Sequence, residues 1–582
     1  MGTLAKLPLY CSPLLLAYTA NAAQNFVVPW STKSYGPDGP WQAVKITVGG
    51  NDSTLTIGAQ NHADLDVYPG GSWTTFTFAK EACDPYKNSI CGAGGTWNPD
   101  PPSLKQIEWT DKYIDDSYGI QAASYTNVPR ALTIASKTVW NASLGNIPYG
   151  NITYPNGKMG GMVLGHLALG APDPEQVWSK SDKDAGQNIT TNFFPSKLYM
   201  DNETPSNSYG LHIGSAAFDY PGSLQFGGYN KGRVIGPVTS FSGESIVDLL
   251  DIAIGVEFGS SPFGFDSKPG LLLNDSGQVG RMKVQVDPLT PYLSLPDNTC
   301  EGLANILPIK YDNTVKYYTW NTSDPKYKEI VTSPAYLSFT FPPAPGNKDN
   351  VVIKVPFALL NLTLDSPITA KPTQYFPCNP YHGNIPRLGR AFLQAAFIGR
   401  NWGTKTTWLA QAPGPGISNS GLGDSNTAIA NDQTMIEGFT GDDLFKQSWD
   451  GHWSILNSTK PNSTAPSGGA GETNKPTASP PPASGLSTGA KVGIGVAVPV
   501  GVLALIGAFI FIWRRRAHKK NTIYPALVDQ LPTHEMDSGS DSQARYSDQA
   551  PQKYAAVDQT PQELHVETHA LEMPDRNDPR MT

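Results

Sequence analysis

Across residues 41–412 short runs of Val, Ile, Thr, Tyr and Phe alternate with Gly, Pro and Asn-Asp turns, as in Trp41-Gln42-Ala43-Val44-Lys45-Ile46-Thr47-Val48. That texture predicts many short strands, because branched and aromatic side chains suit a pleated surface and the turn residues break it. Long helical periodicity is scarce; one short helix is predicted after Pro296, to about Leu307. The body therefore reads as all-β. From Pro413 the chain becomes Gly- and Ser-rich, with an aromatic patch at 439–453, and 457–489 is dominated by Ser, Thr, Pro and Gly. That last piece buries too little apolar surface to fold and predicts an extended, O-glycosylated segment, within a Gly/Ser/Thr/Pro-rich stalk set at 413–490.

Two apolar segments lie outside this body. Lys6, the run through Leu14-Leu15-Leu16-Ala17 and the small residues Ala20-Asn21-Ala22 have the order of a cleaved signal peptide, residues 1–22. Val492 to Trp513 is free of charge and long enough to cross a bilayer, and Arg514-Arg515-Arg516, His518 and Lys519-Lys520 follow at once. This predicts a transmembrane helix at 491–513 and a single-pass type I topology at the plasma membrane. The ectodomain is then outside, and a polar, disordered tail, 514–582, is cytoplasmic. Tyr524, Tyr546 and Tyr554 in that tail read as solvated linker before phosphorylation or docking points.

Asn51, Asn141, Asn151, Asn188, Asn202, Asn274, Asn321, Asn361, Asn457 and Asn462 each open Asn-x-Ser/Thr, and all precede the span. This one-sided distribution predicts a glycosylated exterior. The chain of 582 residues is mildly acidic, at formal net charge −8, with no basic stripe, which argues against nucleic acid as a partner. Beyond Cys11 in the leader, Cys83, Cys91, Cys300 and Cys378 remain. Four cysteines allow three pairings, and spacing favours Cys83–Cys91 as a small loop and Cys300–Cys378 as a long one. No Cys/His spacing suggests zinc, and no metal or other cofactor is expected.

The stretch Val284-Gln285-Val286-Asp287-Pro288-Leu289-Thr290-Pro291-Tyr292-Leu293-Ser294-Leu295-Pro296 resembles the second active-site loop of pepsin-type aspartic proteases. Asp287, Thr290 and Pro296 keep their places, while Pro288 and Leu289 stand where the family has Thr/Ser and Gly. Ser223-Leu224-Gln225-Phe226-Gly227-Gly228 is similar to the stretch joining the family's two lobes, and Leu388-Gly389-Arg390-Ala391-Phe392-Leu393 to its later Leu-Gly-x-x-Phe-Leu element. Gly161-Met162-Val163-Leu164-Gly165 is the candidate counterpart in the first lobe. The resemblance covers roughly 40–412 and implies a bilobal pepsin-like fold, with an N-lobe over 23–225 and a C-lobe over 226–412. With its signal, stalk, span and tail, the chain resembles the membrane-anchored pepsin-like proteins of filamentous fungi.

The first loop departs from the family. Where Asp-Thr-Gly is expected stands Ala63-Asp64-Leu65-Asp66-Val67-Tyr68-Pro69-Gly70-Gly71-Ser72-Trp73. Alternation of Ala63, Leu65 and Val67 puts Tyr68 in the place of the first catalytic aspartate, and this register keeps the turn glycines. Counting back from Trp73 selects Asp66 instead. The flap candidate Tyr118-Gly119-Ile120-Gln121 lacks the family's second glycine. In an intact site two carboxylates share one proton and activate water; a phenol of pKa about 10 cannot replace one of them. The expected function is therefore a catalytically impaired pseudoprotease, with Asp287 as a remnant, that binds extended peptide or cell-wall ligands in its cleft. The alternative is an active aspartic endopeptidase processing cell-surface or secreted proteins. Oligomeric state is not legible.

Overall fold

The computed structural model describes residues 23–457, apart from 51–61, 72, 88, 100–106, 110–112, 116–119, 179–187, 244, 345, 382–384 and 418–420. The expected leader, membrane span and tail lie outside the described residues, as do Asn51 and Asn462. Among the described residues no helix is long and apolar enough to cross a membrane.

Strands dominate, as the pattern predicts. Trp41–Val48 buries Trp41, Ala43, Val44, Ile46 and Val48, and pairs antiparallel with Ala63–Pro69, which buries Leu65 and Val67. Each strand gives its apolar residues to the core and leaves Lys45 or Asp64 outward. That partition is what period-two side-chain alternation produces. The one predicted helix is present at Asp297–Ala304. Asp297 in its first turn suits the positive end of the helix dipole. Its Cys300 is bridged to Cys378, and Cys83 is bridged to Cys91, both as expected.

Two sets of five strands repeat one arrangement. In the first half Trp41–Val48, Ala63–Pro69, Gly165–Leu167, Thr75–Phe78 and Leu144–Thr153 lie side by side. In the second half the order is Ile246–Leu249, Met282–Val286, Arg387–Leu388, Leu293–Leu295 and Cys378–Pro380. In each set the second strand runs parallel to the third, the third antiparallel to the fourth, and the fourth parallel to the fifth. A six-stranded antiparallel sheet joins the halves, in the order Phe26–Val28, Ser223–Phe226, Ser208–His212, Ala396–Asn401, Thr406–Gln411 and Ile235–Ser242. Its strands come from both sides of the expected lobe boundary at 225/226. The chain divides into two compact units at Thr464, so both halves belong to the first.

One boundary differs from the sequence reading. The stalk expected from 413 is folded in its described part. Asn426–Ala428 pairs antiparallel with Gly228–Asn230, and Phe439 bridges Ile235. The helix Leu444–Ser448 follows, and Trp449 is buried. Trp449 stacks on Trp453 at 5.3 Å, and Phe218 meets its edge. Sparse but large aromatics overcome a Gly- and Ser-rich background, since each buries far more apolar area than its neighbours expose.

Candidate functional site

Asp287 is delivered by the strand Met282–Val286, whose Val284 and Val286 are wholly buried. At the strand end its amide donates to the Leu388 carbonyl at 3.1 Å. The side chain then turns back on its own loop. Oδ1 accepts from the Leu289 amide and Oδ2 from the Thr290 hydroxyl, each at 3.0 Å. This is an Asx-type turn, in which the carboxylate satisfies local donors. Only 8% of the residue is exposed. Behind the loop, Arg390 Nη1 donates to the Leu289 carbonyl at 3.0 Å. Gly389 is required here, because a Cβ would lie 2.1 Å from the Thr290 carbonyl oxygen.

The first loop is placed by strand register. Tyr68 pairs with His166 and Pro69 with Leu167, as Gln285 pairs with Arg387 and Val286 with Leu388. The Gly70 amide donates to the Leu167 carbonyl, as the Asp287 amide does to Leu388. On the fourth strand His166 pairs with Phe76 as Arg387 pairs with Ser294. The residue that corresponds to Asp287 is therefore Gly70, not Tyr68 and not Asp66. The strand runs on through Tyr68 and Pro69, so the loop starts later and is shorter, 70–74 against 287–292.

Both expected candidates lie elsewhere. Tyr68 is 1% exposed, with the Arg390 guanidinium 4.2 Å from its ring centre. Asp66 accepts from Ser31 Oγ at 2.6 Å and from the Tyr35 hydroxyl, in a separate cavity lined by Lys33 and Lys45. Burial, with Asp66 adding, pushes Tyr35 up to about 12.

A side chain from the opposite loop occupies the place vacated at Gly70. A Cβ there would lie 2.9 Å from both Cγ and Cδ2 of Leu289. Leu289 is 3% exposed, so the two loops meet through an apolar contact where the family pattern has a pair of carboxylates. Leu289 was legible as a departure from Asp-Thr-Gly, whereas Gly70 read as a retained turn glycine. Strand register shows that Gly70 holds the position matching Asp287 and that Leu289 complements it.

Beside this contact Asp38 links the halves. Its carboxylate accepts from Trp41 Nε1 at 2.9 Å and from the Tyr292 hydroxyl at 2.7 Å, and its carbonyl accepts from the Tyr375 hydroxyl at 2.6 Å. Tyr292 and Tyr317 hydroxyls lie 2.8 Å apart. Burial drives Tyr292, Tyr317 and Tyr375 well above the usual phenol range, and the Asp38 charge adds to it. The phenols therefore stay neutral donors. Tyr209 is pushed up to about 12 by burial, with Asp287 adding and Arg400 opposing.

Of the flap candidate, Tyr118 and Gly119 lie outside the described residues, and Ile120 and Gln121 begin the strand Ile120–Asn127. Among the sequon asparagines, Asn141, Asn188, Asn202, Asn321 and Asn457 are exposed, and Asn151, Asn274 and Asn361 are half-buried. Among the described residues no group of three or more His, Cys, Asp or Glu is arranged to hold a metal ion.

No family model and no curated protein matches this chain. Among solved structures it is similar to the crystal structure of an aspartic proteinase from Irpex lacteus, at 14% identity and a TM-score of 0.40. That match covers 67% of this chain and 97% of the proteinase.

Proposed function

We propose that this protein is a cell-surface, single-pass glycoprotein whose pepsin-like body holds extended peptide or cell-wall ligands without hydrolysing them. The observation that carries the reading is the Gly70–Leu289 contact. Aspartic proteolysis needs one carboxylate as base for the water and a second group as acid for the leaving amine. Here the position facing Asp287 is a glycine, and a leucine side chain fills its space. Both Asp287 oxygens already accept from the loop that carries them. Losing one member of such a catalytic unit costs several orders of magnitude in rate. Asp66 does not replace it, being held by Ser31 and Tyr35 in a separate cavity, and Asp38, beside the contact, already accepts from the Trp41 indole and the Tyr292 hydroxyl. A groove that binds extended chains through backbone hydrogen bonds and side-chain pockets does not need that chemistry.

Purified protein incubated with a mixed peptide library from pH 3 to pH 7 should show no pepstatin-sensitive cleavage. Turnover abolished by Asp287→Asn would sink this reading and restore an aspartic endopeptidase. The proposed orientation has its own check. A tag placed after Thr582 should resist protease added to intact cells, and its digestion would reverse the topology.

A further inference from the structure

A cavity of about 380 Å³ opens beside the second loop, with Asp38 and Tyr154 on one wall and Tyr292, Lys316, Tyr381 and Arg387 on the other. Its walls are tied together by hydrogen bonds between the two halves. Lys158 Nζ donates to the Ile368 carbonyl at 3.0 Å, the Thr363 amide to Gly39 at 3.1 Å and the Asp365 amide to Pro37 at 2.7 Å. The cavity is thus a built feature, held by main-chain bonds close to residues that line it.

Its charge is unbalanced. Among the described residues Asp38 is the one carboxylate in the lining, and its two oxygens are occupied by Trp41 and Tyr292. Arg387 and Lys316 have no hydrogen bond or ion pair from their side chains among the described residues. The Arg387 guanidinium stands over the Tyr381 ring at 5.8 Å, and its Nε is buried with no acceptor. Arg387 as a whole is half-buried, and an anion entering the cavity would give its guanidinium the acceptor that the described residues do not supply. A guanidinium fork pairs bidentately with a carboxylate, the anion that unmodified peptides carry, and the tyrosines offer apolar faces to the carbon atoms that carry it.

We infer that this cavity binds a carboxylate carried by a peptide, with Arg387 as the principal partner and Lys316 as a second, more exposed one. The inference rests on the peptide-binding reading of the cleft and gives it a ligand class. The carboxylate is either a free chain end or an acidic side chain; both present the same group to Arg387.

The test uses the full-length protein in detergent and three fluorescein-labelled hexapeptides: a C-terminal acid, the same sequence as its amide, and an amide with one internal Glu. Fluorescence anisotropy should show the acid, the Glu peptide or both binding at least about tenfold more tightly than the neutral amide, a step the size of one charge-assisted pair. Binding of the acid alone identifies a chain end; binding of the Glu amide identifies a side chain. Arg387→Gln should remove the preference without changing amide binding, and Arg387→Lys should retain part of it, with thermal midpoints compared to exclude misfolding. Equal binding of all three peptides, unaltered by Arg387→Gln, would overturn the carboxylate site and leave a peptide-binding cleft standing. Absence of binding by every peptide would overturn both.

Discussion

At the scale of single residues the decisive pair is Gly70 and Leu289, and their complementarity is measurable. Leu289→Ala should destabilise the protein by about 2–5 kcal/mol, the range for emptying a buried leucine site. Gly70→Ala should cost about 1–3 kcal/mol through overpacking, because its new methyl meets Leu289 at 2.9 Å. If the contact is as described, the double variant is less destabilised than the sum, with a coupling above about 0.5 kcal/mol in denaturant unfolding. Strict additivity would mean that the loops do not touch. The same pair shows where sequence reading stops. Asp287 and Gly389 were legible because neighbouring motif residues fix their register. In the first loop the alternation stopped short of the strand end: Tyr68 continues a strand that reaches Pro69, so counting apolar positions could not locate the turn. Nor could a sequence reveal that Arg390 lies behind the second loop, over the ring of Tyr68.

Among elements, the strands and the helix at Asp297–Ala304 were legible from patterning and turn residues, as were both disulfides from spacing. The segment 413–457 was not. Its composition is that of a linker, yet a few residues hold it to the body. Ser448 accepts from the Gly414 amide at 2.8 Å, and Trp449 is 1% exposed between Phe218 and Trp453. Trp449→Ala is expected to cost about 3–5 kcal/mol, the range for removing a buried large aromatic. A linker would lose nothing. Chemical denaturation of the two proteins separates the cases, and an unchanged midpoint would return this segment to the stalk.

For the molecule as a whole, two buried histidines set a direction for acid stability. Burial pushes His212 down to about 3, with the Arg233 charge adding, and burial pushes His166 down to about 4 against a hydrogen bond at Thr74. Both titrate near 6.5 when unfolded. Below that value the unfolded chain takes up protons that the native state refuses, so stability is full above pH 6.5 and is lost as pH falls toward 4. The slope is at most about 1.4 kcal/mol per pH unit for each histidine. Urea midpoints measured from pH 7.5 to 4 should fall, and His166→Gln combined with His212→Gln should flatten the decline. A wild-type midpoint that held steady to pH 4 would contradict the assignment. The folded C-terminal segment has a mechanical consequence too. The last described residues are fastened in series: Leu456 accepts from Ser260, Ser454 donates to Thr332, then come the Trp453–Trp449 stack, the Leu444–Ser448 helix and the Asn426–Ala428 strand. A chain peeled back from Asn457 is expected to give up these fastenings in that order, with the Phe439 bridge to the joining sheet released before the Asn426–Ala428 strand. Detachment of the segment would thus proceed like a zipper opened from its far end, with the paired strand as the last tooth.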